Sequence, residues 1–208
     1  MNKYFIDCGA HCGESIFQAK QKFGKDTIVI SFEAIPGLVK QLQEIHQNDP
    51  TVQIQNSAVW INDEIKKFYM SEDYTDGSSL HSNLNNLRED HYVEVACFDL
   101  SSWIAETFTE DDYVILKLDI EGAEYEVLNK MIDDGNMKCI NEFWGEWHDM
   151  KMDDERTKTL SKKVKSYLND NNIDFKTWEV HIPTHGKAHP MLAFRPNNLK
   201  DLDNEEYK

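Results

Sequence analysis

Four places in this sequence set chemically capable side chains beside turn residues. The first is Asp7-Cys8-Gly9-Ala10-His11-Cys12-Gly13, an acidic residue followed by two glycines. The second is Glu33 with Ala34, where the apolar run 27–33 ends, and the third is Ser57 with Ala58, near the end of the run 52–59. The fourth gathers Asp119 and Glu121 and, further along, Glu146 and His148. Carboxylates and an imidazole are the groups that bind cations, hold sugar hydroxyls or carry protons. Glycines at a turn let a backbone approach a ligand closely.

These residues need a scaffold, and the hydrophobic pattern supplies one. Apolar runs at 4–7, 27–33, 52–59, 113–119 and 142–147 read as strands, and they alternate with helical periodicity at 13–23, 37–47 and 123–133. That order predicts an α/β, Rossmann-like fold: a mostly parallel central sheet with helices on both faces. Each acidic cluster then falls at the C-terminal end of a strand, where such sheets bind ligands. Residues 65–71 and 93–98 read as a hairpin around a polar stretch, an insertion of about 65–98 expected to fold over the site as a lid, with Ser78 and Ser79 offering hydroxyls. A helix at 99–107 follows, with Asp99 or Ser101 as its N-cap. The last third predicts a helix at 156–169, a strand at 175–181 and a strand at 191–194, the late pair forming an antiparallel edge. Residues 1–195 are expected to form one domain and 196–208 a charged tail.

The first turn discriminates between two cofactors. A dinucleotide needs the register G-x-G-x-x-G, so that its pyrophosphate meets bare backbone. Here Asp7 stands where the first of those glycines belongs, and its anion opposes a pyrophosphate. A cationic ligand suits that position, and S-adenosylmethionine brings an ammonium and a sulfonium. On this reading Gly9, Ala10, His11 and Gly13 form the cofactor turn, and Ser15 bonds the methionyl carboxylate. Glu33, beside Ala34, takes the ribose diol, Ser57 and Ala58 leave a flat slot for adenine, and Asp119 lies near the sulfonium. An NAD-dependent oxidoreductase or sugar epimerase is the rival reading.

Several segments resemble the FkbM-type methyltransferases: KLDIEGAEYEVL at 117–128, FIDCGAHCGES, SFEAIPG, NSAVW, Gly77-Ser78-Ser79-Leu80, and Glu146-Trp147-His148. The resemblance covers roughly residues 4–150. It implies a class I methyltransferase fold, S-adenosylmethionine as donor, and O-methylation, with sugars and polyketide-type products among the family's substrates. An aliphatic hydroxyl is a poor acid, so its methylation needs a base. Asp119, Glu121 and His148 are the candidates, His148 the most natural at neutral pH. A divalent metal held by Asp119, Glu146 or His148 is the alternative way to acidify the hydroxyl. Glu121 equally suits a helix cap, Glu124, Tyr125 and Glu126 read as helix surface and core, and Trp144 and Trp147 read as core before sugar platform.

Composition narrows the partners. With 22 basic against 38 acidic residues, a net charge of −16 repels a phosphate backbone, so no nucleic-acid partner is expected. The densest basic stretch, KTLSKKVK at 158–165, reads as a solvated helix face. Four irregularly spaced cysteines read as reduced thiols in a cytoplasmic protein, and neither a signal peptide nor a membrane span is expected. The expected partner is a small-molecule or glycan acceptor. The loop 181–189, with three histidines, reads as a substrate-side loop.

Overall fold

The structure is a computed structural model that describes residues 1–71, 77–82, 87–148 and 154–179. In chain order it contains β1 (Lys3–Cys8), α1 (Glu14–Phe23), β2 (Ile28–Glu33), α2 (Pro36–His46), β3 (Val52–Asn56), β4 (Ala58–Trp60), β5 (Glu64–Ser71) and β6 (Leu87–Asp99). There follow α3 (Leu100–Thr107), β7 (Tyr113–Leu118), α4 (Glu124–Asp133), a single 3-10 turn (Asn136–Cys139), β8 (Glu142–Gly145), α5 (Glu155–Asp170) and β9 (Phe175–Thr177).

Six strands form the main sheet in the order β3-β2-β1-β7-β8-β9, and every pairing in it is parallel. Successive side chains of a strand point to opposite faces, and a parallel sheet must be covered on both. Thus Ile6, Ile30 and Leu116 enter one core with Leu100, Ile104, Leu128 and Val164 from the following helices. Their neighbours Phe5, Val29 and Ile115 enter a second core with Ile16, Ala19 and Leu42 from α1 and α2. Each such Ile or Leu side chain contributes about 1.5–3 kcal/mol by leaving water. The chain reverses direction of growth between β1 and β7, which makes the C-terminal ends of these two strands the switch point of the sheet.

The predicted third strand is divided. Residues 52–56 pair with β2 in the main sheet, whereas Ala58–Trp60 pair in parallel with β6 in a second, three-stranded sheet of order β4-β6-β5. Ser57 is the joint between the two. The predicted hairpin is there as β5 and β6, and it supplies the antiparallel pairing among the described residues. The strand predicted at 191–194, the histidine loop 181–189 and the tail 196–208 lie outside the described residues. Asp99 is the N-cap of α3, its carboxylate accepting from the Ser102 N–H at 3.2 Å, a contact worth about 1 kcal/mol. The basic stretch of α5 keeps Lys162, Lys163 and Lys165 exposed while Val164 and Leu168 are buried, as a solvated helix face requires.

Candidate active site

The β1–β7 register sets Asp7 directly beside Lys117, and the β1–β2 register sets it beside Ser31 on its other side. All three side chains share one face of the sheet. Asp7 is fully buried and Lys117 nearly so, their charged atoms 3.1 Å apart. Ser15 and Ser31 donate to the other Asp7 oxygen at 2.6 and 3.1 Å. Lys117 also donates to the Gly9 carbonyl at 2.9 Å and lies 3.4 Å from Asp119. Burial alone would depress the lysine pKa, but the Asp7 and Asp119 charges more than offset it and hold it above the ordinary lysine range.

This network bears on two expectations. Asp7 is not among the residues that line the cavity, and its charge is balanced by Lys117, a buried internal cation. Ser15 does line the cavity, yet its hydroxyl proton is committed to Asp7, so it is not available to a ligand carboxylate. Gly13 also stays out of the cavity; its φ of 87° makes it the left-handed N-cap of α1.

A cavity of about 440 Å³ opens at the switch point. Its floor is Gly9, Ala10 and His11, its flank Glu33, Ala34, Ser57 and Ala58, and its far wall Asp119, Glu121, Glu146 and His148. Phe68, Gly77, Ser78 and Leu80 from the insertion cover it. The volume falls within the roughly 300–1,000 Å³ typical of small-molecule sites. At Gly9, φ is +88° and a Cβ would collide with the Asp119 carbonyl oxygen, so only glycine lets the two strand ends close together. Gly9→Ala is expected to lower stability by at least about 1–3 kcal/mol through backbone strain alone, read as a fall in thermal midpoint.

Glu33 is anchored by the backbone. Its two oxygens accept from His11 N–H and Ile35 N–H, each at 2.8 Å, and burial pushes its pKa up. Each oxygen has a second lone pair. The Cys8 and Cys97 thiols are also pushed up by burial, Cys97 to about 11, so neither is a ready thiolate. The four cysteines are free, in keeping with reduced thiols.

The far wall holds a buried dyad that sequence reasoning missed. Glu124, read as helix surface or core, is fully buried, and its carboxylate accepts from the N–H groups of Ile120 (2.9 Å) and Gly122 (3.1 Å). His148 Nδ1 sits 2.8 Å from the same carboxylate. A carboxylate already accepting from backbone takes a donor there, which fixes Nδ1 as N–H and turns Nε2 toward the cavity. That nitrogen lies 3.6 Å from a Glu121 oxygen and 3.9 Å from an Asp119 oxygen. The N-cap of α4 is Ala123, without a side-chain cap, and Glu121 lies in the site with φ +55° and its carbonyl held by Ser79 Oγ at 2.6 Å. Ser78 and Ser79 therefore clamp the insertion, Ser78 by accepting from the Ser71 N–H at 3.0 Å. Trp147 stacks between Tyr125 and Phe175, and Trp144 packs on Phe23 and Trp178; neither tryptophan lines the cavity.

With this geometry in view, the model of the methyltransferase FkbM domain matches residues 7–175. The chain belongs to the FkbM methyltransferase family. A solved FkbM methyltransferase from Methylobacillus flagellatus KT is similar at 15% identity and a TM-score of 0.38. The match covers 62% of this chain and 28% of that one, so this FkbM chain spans under a third of that relative's length. A search of curated proteins finds no match. Among the described residues no helix is long and apolar enough to cross a membrane.

Proposed function

We propose that this FkbM-family chain transfers a methyl group from S-adenosylmethionine to a hydroxyl of a sugar, glycan or small metabolite. The observation that carries the reading is the charge of the cavity. Among the described residues, Glu14, Glu33, Asp119, Glu121 and Glu146 line it, while the one lysine of that lining, Lys117, is engaged by Asp7 and Asp119. Such a wall favours a cationic ligand over a pyrophosphate, and thus the sulfonium donor over NAD. Asp119 and its neighbours supply this charge without Asp7.

The residues present fit the donor. Glu33 keeps lone pairs for a ribose diol, Ser57 and Ala58 border a slot for adenine, and Gly9 and Ala10 let backbone approach. When bound, the donor supplies an electrophilic methyl on sulfur. The chain's own task is to align an acceptor hydroxyl in line with that methyl and receive its proton. The O–H bond breaks into the cluster of Asp119, Glu121 and His148, the new C–O bond forms, and the donor's sulfur leaves with the C–S electron pair.

The test is calorimetry with S-adenosylhomocysteine in the presence of EDTA. Saturable binding is expected, with Glu33→Ala weakening it by about tenfold or more, since each lost charge-assisted hydrogen bond is worth about 1.5–3 kcal/mol. Absence of heat with the wild-type chain, or binding of NADH in its place, overturns the reading.

A further inference from the structure

We propose that Asp119, Glu146 and His148 form a divalent-cation site at the acceptor end of the cavity, of the oxygen-rich kind that takes Mn²⁺. One ligand atom from each of the three lies within 4.8 Å of the other two. In a six-coordinate site with ligands at about 2.0–2.3 Å, atoms opposite each other are about 4–4.6 Å apart, so small side-chain rotations close the set. Two carboxylates and one imidazole favour Mn²⁺ over softer metals, which seek more nitrogen or sulfur.

The independent observation is the support behind His148. An imidazole that ligates a metal almost always donates its other N–H to a carboxylate, which sets tautomer and ring plane. His148 is 4% exposed, and Glu124 behind it is fully buried and tied to two loop N–H groups. A histidine that merely fills a core has no need of a buried, backbone-anchored carboxylate that aims Nε2 at two further carboxylates.

The purpose of the cation rests on the proposed methyl transfer. A cation there lowers the pKa of a hydroxyl set beside it. With Nε2 engaged, Glu121 is the carboxylate left to take the proton: the O–H bond breaks, Glu121 becomes the acid, and the oxygen attacks the methyl carbon as the C–S bond breaks.

The cation's binding does not depend on the donor and is measured without it. The full-length chain is titrated with MnCl₂ and free Mn²⁺ is followed by electron paramagnetic resonance. One saturable site per chain is expected. Glu146→Gln, at an exposed position and therefore safe for folding, is expected to weaken it by at least about tenfold, and Glu124→Gln by about 10–100-fold as a second-sphere change. Cys12→Ser, in the other convergence of ligand types (His11, Cys12, Glu14), is expected to leave it unchanged. No saturable binding by the wild-type chain, full-strength binding by Glu146→Gln, or loss in Cys12→Ser overturns the proposal. Should Glu124→Gln fail to fold by circular dichroism, Glu146→Gln alone decides. Donor binding is tested with EDTA present, so failure of either proposal is seen separately from the other.

Discussion

Lys117→Met is expected to destabilise the chain by about 3–5 kcal/mol, because it strands the buried Asp7 carboxylate without its cation. The two residues are direct neighbours across β1 and β7, at the centre of the sheet, and Asp7 has no exposed surface through which water could replace the lysine. Ser15 and Ser31 supply hydrogen bonds but no charge. Methionine preserves most of the volume, so the loss reads out charge and not packing. The measurement is urea denaturation at neutral pH, with Asp7→Asn/Lys117→Met as companion. Once both charges are gone the desolvation penalty is removed as well, and the double variant is expected to regain a large part of the loss. A single variant that unfolds at the wild-type midpoint would show that the pair does not bear on stability. Because Lys117 also holds the Gly9 carbonyl, the single variant is expected to loosen the turn at the cavity floor too.

The same pair marks where reading the sequence reaches its limit. Parallel strands buried on both faces are near-continuous apolar runs, so β1, β2, β7 and β8 were legible, and with them the switch point where Asp119 and the Gly9 turn meet. Glu33 at a strand end and Ser57 within the run 52–59 followed from the same pattern, and both line the cavity. The break between β3 and β4 was not legible, since residues 52–59 read as one strand and only the change of pairing partner divides them. Lys117 did leave a signal, a lone cation within the apolar run 113–118, but its meaning depends on register, which periodicity does not specify. Glu124 left a misleading one. An acidic residue in the first turn of a helix ordinarily serves the helix dipole, and its partner His148 arrives 24 residues later, in the loop after β8.

That dyad carries the largest catalytic expectation. His148→Ala is expected to lower kcat for methyl transfer by about 10²–10⁴, the usual contribution of a group that brings about proton removal in the transition state, here by holding the cation beside the hydroxyl. The acceptor is found by a radiolabel-transfer screen of deoxysugars, oligosaccharides and hydroxylated metabolites, and the variant is then assayed on the acceptor so found. S-adenosylhomocysteine affinity is expected to stay within about twofold, since a shift under about 0.4 kcal/mol lies inside ordinary scatter for a residue without a donor contact. Glu124→Gln separates positioning from packing. The amide keeps the shape and still accepts from Nδ1, yet it also carries donors that oppose the N–H groups of Ile120 and Gly122, so the ring loses its fixed aim. Its kcat is therefore expected to fall by about tenfold to a hundredfold with acceptor KM little changed, the pattern of an interaction realised in the transition state. An equal rise in KM with unchanged kcat would instead make the dyad a substrate-binding wall. A wild-type rate in His148→Ala would remove it from the chemistry and leave Asp119 and Glu121 as the groups that receive the proton.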